Sequence, residues 1–176
     1  MAHLVNPRTA VAASLRAAAA EPGWEVRPGY AGAANLDDDA FTAWVEALID
    51  DAREGSSRRE GFVPSTNLWW VEGDRYLSRV QIRHRLTAHL REAGGHVGYY
   101  VVPRARRRGH AGAMLAAALP VAAALGIECA LLTCDVGNTA SRRVIEANGG
   151  LLQDQWGVML RYWVPTGPTP ASPPQP

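Results

Sequence analysis

Apolar positions recur at helical spacing in the first third of the chain and change to short alternating runs after residue 66. Ala10 to Glu21 reads as a helix that Pro22 and Gly23 stop. No period holds from Trp24 to Asn35, which reads as loop. Asp37 to Asp39 then precede a second helix, with Phe41, Trp44, Val45 and Leu48 on one side and an end near Arg53. Glu54 to Ser65 is polar and irregular. Asn67 to Val71, the turn-like Glu72-Gly73-Asp74 and Tyr76 to Arg83 predict an antiparallel pair. In its second strand Leu77, Arg79, Gln81 and Arg83 are set against Tyr76, Ser78, Val80 and Ile82.

Gly94-Gly95 breaks the chain before a strand from His96 to Val102. A helix from Gly109 to Leu125 follows and closes on Gly126, while Pro120 inside it costs a hydrogen bond and leaves room for a kink. Glu128 to Cys134 reads as a buried strand beside the previous one. Asn138 caps a helix to Ala147, which Gly149-Gly150 ends. A last strand covers Val158 to Val164. The organisation expected is one domain over residues 1–164 and a proline-rich, disordered tail over 165–176.

Strand–helix–strand–helix–strand order in the second half requires at least one crossover, with helices covering a mixed sheet. Ligands of such sheets sit where strands end and helices begin. Composition narrows the ligand. The formal net charge is +1, so no global field draws the chain to nucleic acid or membrane. Positive charge is local instead, at Arg104, Arg106, Arg107 and Arg108. Cys129 and Cys134 are too few and too close for a disulfide framework, which favours a reducing cytoplasm. The five histidines form no metal spacing with them. The N-terminus lacks the charged and apolar regions of a signal peptide. The apolar run over residues 111–125 is too short for a membrane span.

The arginine cluster lies at a strand-to-helix junction, Val101-Val102-Pro103-Arg104-Ala105-Arg106-Arg107-Arg108-Gly109-His110-Ala111-Gly112. Gly109 and Ala111 leave the first helical turn unobstructed, so backbone N–H groups there are free to point at an anion, aided by the helix dipole and guanidinium groups. The Walker nucleotide run is absent, and so is the Gly-x-G-x-x-Gly dinucleotide run. Coenzyme A, a diphosphate with a thioester arm, remains. Two other readings stand beside it: a solvated arginine loop with Gly109 shaping a turn, and a nucleic-acid contact.

The segment resembles the GCN5-related N-acetyltransferase (GNAT) superfamily. Its signature Arg/Gln-x-x-Gly-x-Gly/Ala appears as Arg106-Arg107-Arg108-Gly109-His110-Ala111, after the strand Gly98-Tyr99-Tyr100-Val101-Val102-Pro103. Leu131-Leu132-Thr133-Cys134-Asp135, Asn138-Thr139-Ala140-Ser141 and Glu146-Ala147-Asn148-Gly149-Gly150 follow in the expected order. Ile82 to Leu86 and Arg161-Tyr162-Trp163 resemble one bacterial branch of that superfamily. The likeness covers residues 67–164 well and the N-terminal third loosely.

The resemblance implies an α/β (α+β) fold with a mixed, mainly antiparallel central sheet, flanking helices and a V-shaped splay between two central strands. It implies acetyl-CoA as donor and direct acetyl transfer to an amine in a ternary complex. Arg106, Arg107, Arg108, Gly109, His110, Ala111 and Gly112 would hold the pyrophosphate, chiefly through backbone N–H groups. The strand holding Tyr99 to Val102, with Tyr100, Val101 and Val102 as the cofactor set, would offer main-chain groups to the pantetheine arm and the acetyl carbonyl, and Asn138 would lie beside the cofactor. His96 starts the strand that lines the cleft and titrates near working pH, so it is the first candidate base, with His84 as the alternative. The family tyrosine seven residues after Asn138 is replaced by Ile145. Tyr99, Tyr100, Tyr162 and water stay open as the proton donor, and Tyr100 completes the catalytic set with His96 and His84. Tyr99 and Tyr100 point to opposite faces of their strand, so at most one meets the cleft. Cys134 sits among apolar neighbours, which favours a structural thiol over an acetyl-cysteine.

A second class of function is a non-catalytic acyl-CoA-binding or regulatory protein of the same fold. The acceptor, a small-molecule or peptide amine, is left unspecified, because its pocket would come from residues 24–66 and the loops after Arg83 and Tyr162. No nucleic-acid or membrane partner is expected, and homodimerisation is left open.

Overall fold

A computed structural model describes residues 1–24, 30, 32–56 and 61–167. The apolar runs after residue 64 form the expected hairpin, β2 (Ser65–Glu72) and β3 (Arg75–Arg83), turned at Gly73 with φ +56°. β1 (His3–Val5) flanks β2, and β4 (Val97–Val101) flanks β3, giving one antiparallel sheet in the order β1-β2-β3-β4. The second sheet has the order β5-β7-β6, from β5 (Cys129–Asp135), β6 (Leu151–Trp156) and β7 (Met159–Pro165).

The β2–β3 register holds an irregularity. Trp70 faces Ser78 but Val71 faces Tyr76, so Leu77 is an extra residue on β3. Simple alternation would put Tyr76 with Ser78, Val80 and Ile82. The bulge instead returns it to the Trp69 face, where the two rings meet edge-on at 5.5 Å.

That face is covered by α1 (Ala12–Ala19) and α2 (Asp38–Asp50). Asp37 caps α2 by accepting from Ala40 N–H at 2.8 Å, and Phe41 and Val45 are buried. Trp24, Tyr30, Phe41, Trp44, Trp69, Tyr76 and Tyr100 form a continuous series of ring contacts there. The opposite face packs α4 (His110–Ala124). Its Met114 Sδ accepts from Ser78 Oγ at 3.0 Å, and its His110 Nδ1 accepts from Trp70 Nε1 at 3.2 Å. Pro120 lies on the exposed side of α4, so the carbonyl it leaves unbonded is on the solvent side and the helix continues to Ala124.

The two sheets approach each other through β4 and β5. His96 N–H donates to Leu131 O at 2.7 Å, Leu131 N–H donates to His96 Nδ1 at 2.9 Å, and Gly94 N–H donates to Thr133 Oγ1 at 2.8 Å. A Cβ on Gly95 would lie 2.2 Å from Leu131 O, so only glycine lets the chains come this close. Beyond this point β4 stays with β3 and β5 stays with β7, and the strands part in a V. The expected neighbourhood of these strands therefore exists at one end.

Among the described strands and α-helices, three lack a counterpart in the sequence reading: β1, the five-residue α3 (Ala88–Glu92) and β6. The final strand runs one residue past the expected end, and buried Thr166 donates to the Glu128 carbonyl at 2.9 Å. The expected tail from residue 168 onward lies outside the described residues, as do residues 57–60 and most of 25–31.

Candidate functional site

Two bonds set the phase of the β3–β4 ladder: Arg83 N–H to His96 O at 2.7 Å and Val102 N–H to Leu77 O at 3.1 Å. Antiparallel strands alternate, so Gly98 and Tyr100 also turn their main-chain groups toward β3. Tyr99 and Val101 turn theirs the other way, into the gap beside β5. This corrects the expected main-chain set. Tyr100 and Val102 are committed to the ladder, and of the strand from Tyr99 to Val102 it is Tyr99 and Val101 that keep their place at the gap. The Val101 carbonyl already accepts from Arg106 Nε at 3.1 Å, so its N–H is the group it offers.

The chain turns directly from this edge into α4. Gly109 is the N-cap, in the left-handed region with φ +79°, and no side chain caps the turn. The first-turn amides of α4 therefore lack a capping side chain, at a helix end that favours anions. Arg107 is also left-handed, with φ +60°, and such alternation arranges backbone N–H groups around a concavity. The four arginines divide by task. Arg104 pairs with Glu21 and also donates to Ser14 O at 3.2 Å. Arg106 lies over the Tyr100 ring at 5.4 Å. Arg107 and Arg108 are exposed and, among the described residues, engage no partner. An uncapped turn, open amides and two unengaged guanidinium groups fit a diphosphate.

Across the gap, α5 (Thr139–Ala147) starts with Asn138, whose Oδ1 accepts from Ser141 N–H at 3.0 Å. The expected cofactor-side asparagine thus serves as an N-cap, and among the described residues its amide nitrogen has no hydrogen-bond partner. Tyr99 reaches from β4 to this turn, with its hydroxyl 2.7 Å from Ser141 Oγ. Burial raises its pKa, although the Ser141 hydrogen bond opposes the shift, so the phenol stays protonated at neutral pH. Cys134 is buried and its thiol pKa is likewise pushed up by desolvation, which leaves little thiolate for an acyl-enzyme.

The expected catalytic residues do not gather here. Tyr100 points to the opposite face, where its hydroxyl donates to Gly23 O at 2.9 Å beside Trp24. His96 uses Nδ1 to accept from Leu131, so its ring proton sits on Nε2 and no lone pair remains for an amine proton. Burial, followed by the charges of Arg91 and Arg83, lowers its pKa to about 4. His96 also lies three residues, about 10 Å of strand, from Tyr99. His84 stands past the end of β3 at the same closed end of the V, with Nε2 2.9 Å from Thr66 Oγ1. His96 is thus engaged between the strands, and both histidines stand at the closed end of the V, away from the Tyr99 edge. Of the tyrosines left open as proton donor, Tyr99 is the one that turns toward the start of α5. The sequence signal for it was the Tyr99-Tyr100 pair, which states that the faces differ without saying which faces α5.

A profile of the acetyltransferase (GNAT) domain matches residues 4–150. The chain belongs to the GNAT acetyltransferase family. Solved structures share the fold. Mycobacterium smegmatis RimJ, in complex with CoA-disulfide, is 19% identical over 93% of this chain and 81% of that one, with a TM-score of 0.66. YncA from Salmonella typhimurium, with acetyl-CoA, is 16% identical over 97% and 96%, with a TM-score of 0.59. A spermidine N-acetyltransferase SpeG chimera from Vibrio cholerae and hSSAT is 11% identical over 94% and 95%, with a TM-score of 0.60. A search of curated proteins gives no match. At these identities the structures speak for architecture, so the chemistry of this GNAT domain rests on its own residues. One of them is Ile145, the fully buried residue of α5 where the resemblance expects a tyrosine; a Cβ on Gly150 would meet its side chain at 2.5 Å.

Proposed function

We propose that the protein transfers an acetyl group from acetyl-CoA to a primary amine by direct attack. The observation that carries this reading is the continuity of two features. The open main-chain edge of Tyr99 and Val101 runs straight into the uncapped, arginine-flanked start of α4. The first turn of α4 with Arg107 and Arg108 suits the diphosphate, and the β4 edge suits the amide-bearing arm. The Asn138 side-chain amide is near enough in the fold to add a donor.

Acetyl-CoA supplies the acyl group as a thioester: an N–C bond forms, the C–S bond breaks, the amine loses a proton and the thiolate gains one. The Val101 N–H is suited to donate to the carbonyl oxygen as negative charge gathers there. Tyr99 Oη holds the proton that the sulfur requires, and the Ser141 hydroxyl beside it is suited to replenish that proton. With both histidines at the closed end of the V, water is the acceptor for the amine proton.

Calorimetry with acetyl-CoA tests the binding step. The native protein should bind in the micromolar range and Gly109→Glu, which puts a carboxylate at the anion site, should lose that affinity. Absence of binding by the native protein overturns the reading. Ile145 and the engaged His96 favour a second reading, an acyl-CoA-binding protein without turnover. Thiol release across a panel of amines separates the two once binding is measured.

A further inference from the structure

The closed end of the V has a construction of its own. His96 exchanges two hydrogen bonds with one residue of β5, giving its N–H to Leu131 O at 2.7 Å and taking Leu131 N–H on Nδ1 at 2.9 Å. A ring nitrogen thus does for the second bond what a strand carbonyl does in an ordinary ladder. Below it, Gly95 fits against Leu131 O only because it has no side chain, and Gly94 N–H donates to Thr133 Oγ1 at 2.8 Å. Arg83 Nη1 donates to the carbonyls of both Gly94 and Gly95 at 3.1 Å, which ties this turn back to β3. The Trp163 ring of β7 stands 6.4 Å from the imidazole on the other side.

We propose that His96 is a positioning residue: its paired bonds with Leu131 fix where β4 and β5 part, and so set the gap that receives the acyl donor. The proposal rests on the acetyl-CoA reading given above. The side chain closes a ladder that the diverging strands cannot continue. Its replacement by a residue without an acceptor at the δ position leaves Leu131 N–H unbonded in a largely buried place and frees the two strands to shift. Chemistry at the far end of the gap then changes although no atom of His96 reaches it.

Two measurements test this. In the native protein, long-range proton–nitrogen NMR should show the Nε2–H tautomer of His96 with Nδ1 unprotonated from pH 7 down to pH 5, and a slowly exchanging Leu131 amide. The Nδ1–H tautomer, or an imidazole that protonates near pH 6.5, overturns the proposal without any variant. The second compares acetyl-CoA affinity of His96→Ala and His96→Asn, each checked for folding by circular dichroism. Asn Oδ1 stands near the place of Nδ1 and accepts one hydrogen bond but has no basic lone pair. His96→Ala should weaken binding about tenfold, and His96→Asn should bind within about threefold of native. Equal affinities of native and His96→Ala, or equal losses in both variants, overturn the positioning role. If the native protein fails to bind acetyl-CoA, the acetyl-CoA reading itself fails, and that result is distinct from these.

Discussion

Tyr99 and Tyr100 are chain neighbours whose side chains leave β4 in opposite directions, and this divides their work. Tyr100 is held between Trp24 and Arg106, whereas Tyr99 bridges the gap to Ser141. Removing the Tyr99 hydroxyl should therefore touch the chemical step. Tyr99→Phe is expected to lower kcat by about 10- to 100-fold with acetyl-CoA affinity within about threefold of native, read by steady-state kinetics and calorimetry. Arg107 offers a contrasting case. Its left-handed backbone, φ +60°, costs a side-chain-bearing residue on the order of 1 kcal/mol. Arg107→Gly should thus raise stability by about that amount in urea unfolding while weakening acetyl-CoA binding and flattening its salt dependence. At this scale the sequence disclosed which residue types were assembled but little of their partners. That four clustered arginines separate into two with partners and two that engage none among the described residues depends on Glu21 and Tyr100, which lie far off in sequence or on another element.

Among the elements, those with long apolar faces and clear ends were legible. α2 has Asp37 at its start and Phe41 and Val45 at helical spacing. α5 has Asn138 before it and Gly149 after it, with φ +83° at that glycine. Asn138→Ala should cost about 1 kcal/mol through loss of the Ser141 N–H bond, measurable by chemical unfolding. β6 escaped because its run Leu151-Leu152-Gln153-Asp154-Gln155-Trp156 is exposed or half-exposed throughout, so no buried face imposed an alternation. α3 is five residues long, less than a hydrophobic period needs to declare itself. The Leu77 bulge also left no mark, since Tyr76 and Leu77 are both apolar and both faces of β3 are buried.

At the scale of the molecule, two sheets share one core and touch through a closed end that His96 holds. The splay was expected from the family resemblance; what holds its apex was not, because the Leu131 bond joins residues 35 apart in sequence. The bond has a pH signature. His96 titrates near 6.5 when unfolded and near 4 when folded, so between these values the unfolded state binds the extra proton and stability falls as pH falls. The loss approaches a limit of about 2 kcal/mol, allowing for the partial exposure of the ring. Native protein should thus lose more stability than His96→Asn between pH 7 and pH 4, as read by thermal unfolding. The central claim, that the gap between β4 and β5 and the start of α4 form one site for an acyl donor, is tested most directly by a proton–nitrogen titration with acetyl-CoA. The amides of Tyr99, Val101 and Gly109 to Gly112 should move together and saturate with a single dissociation constant. Saturating shifts confined to another surface, or none at all, would contradict it.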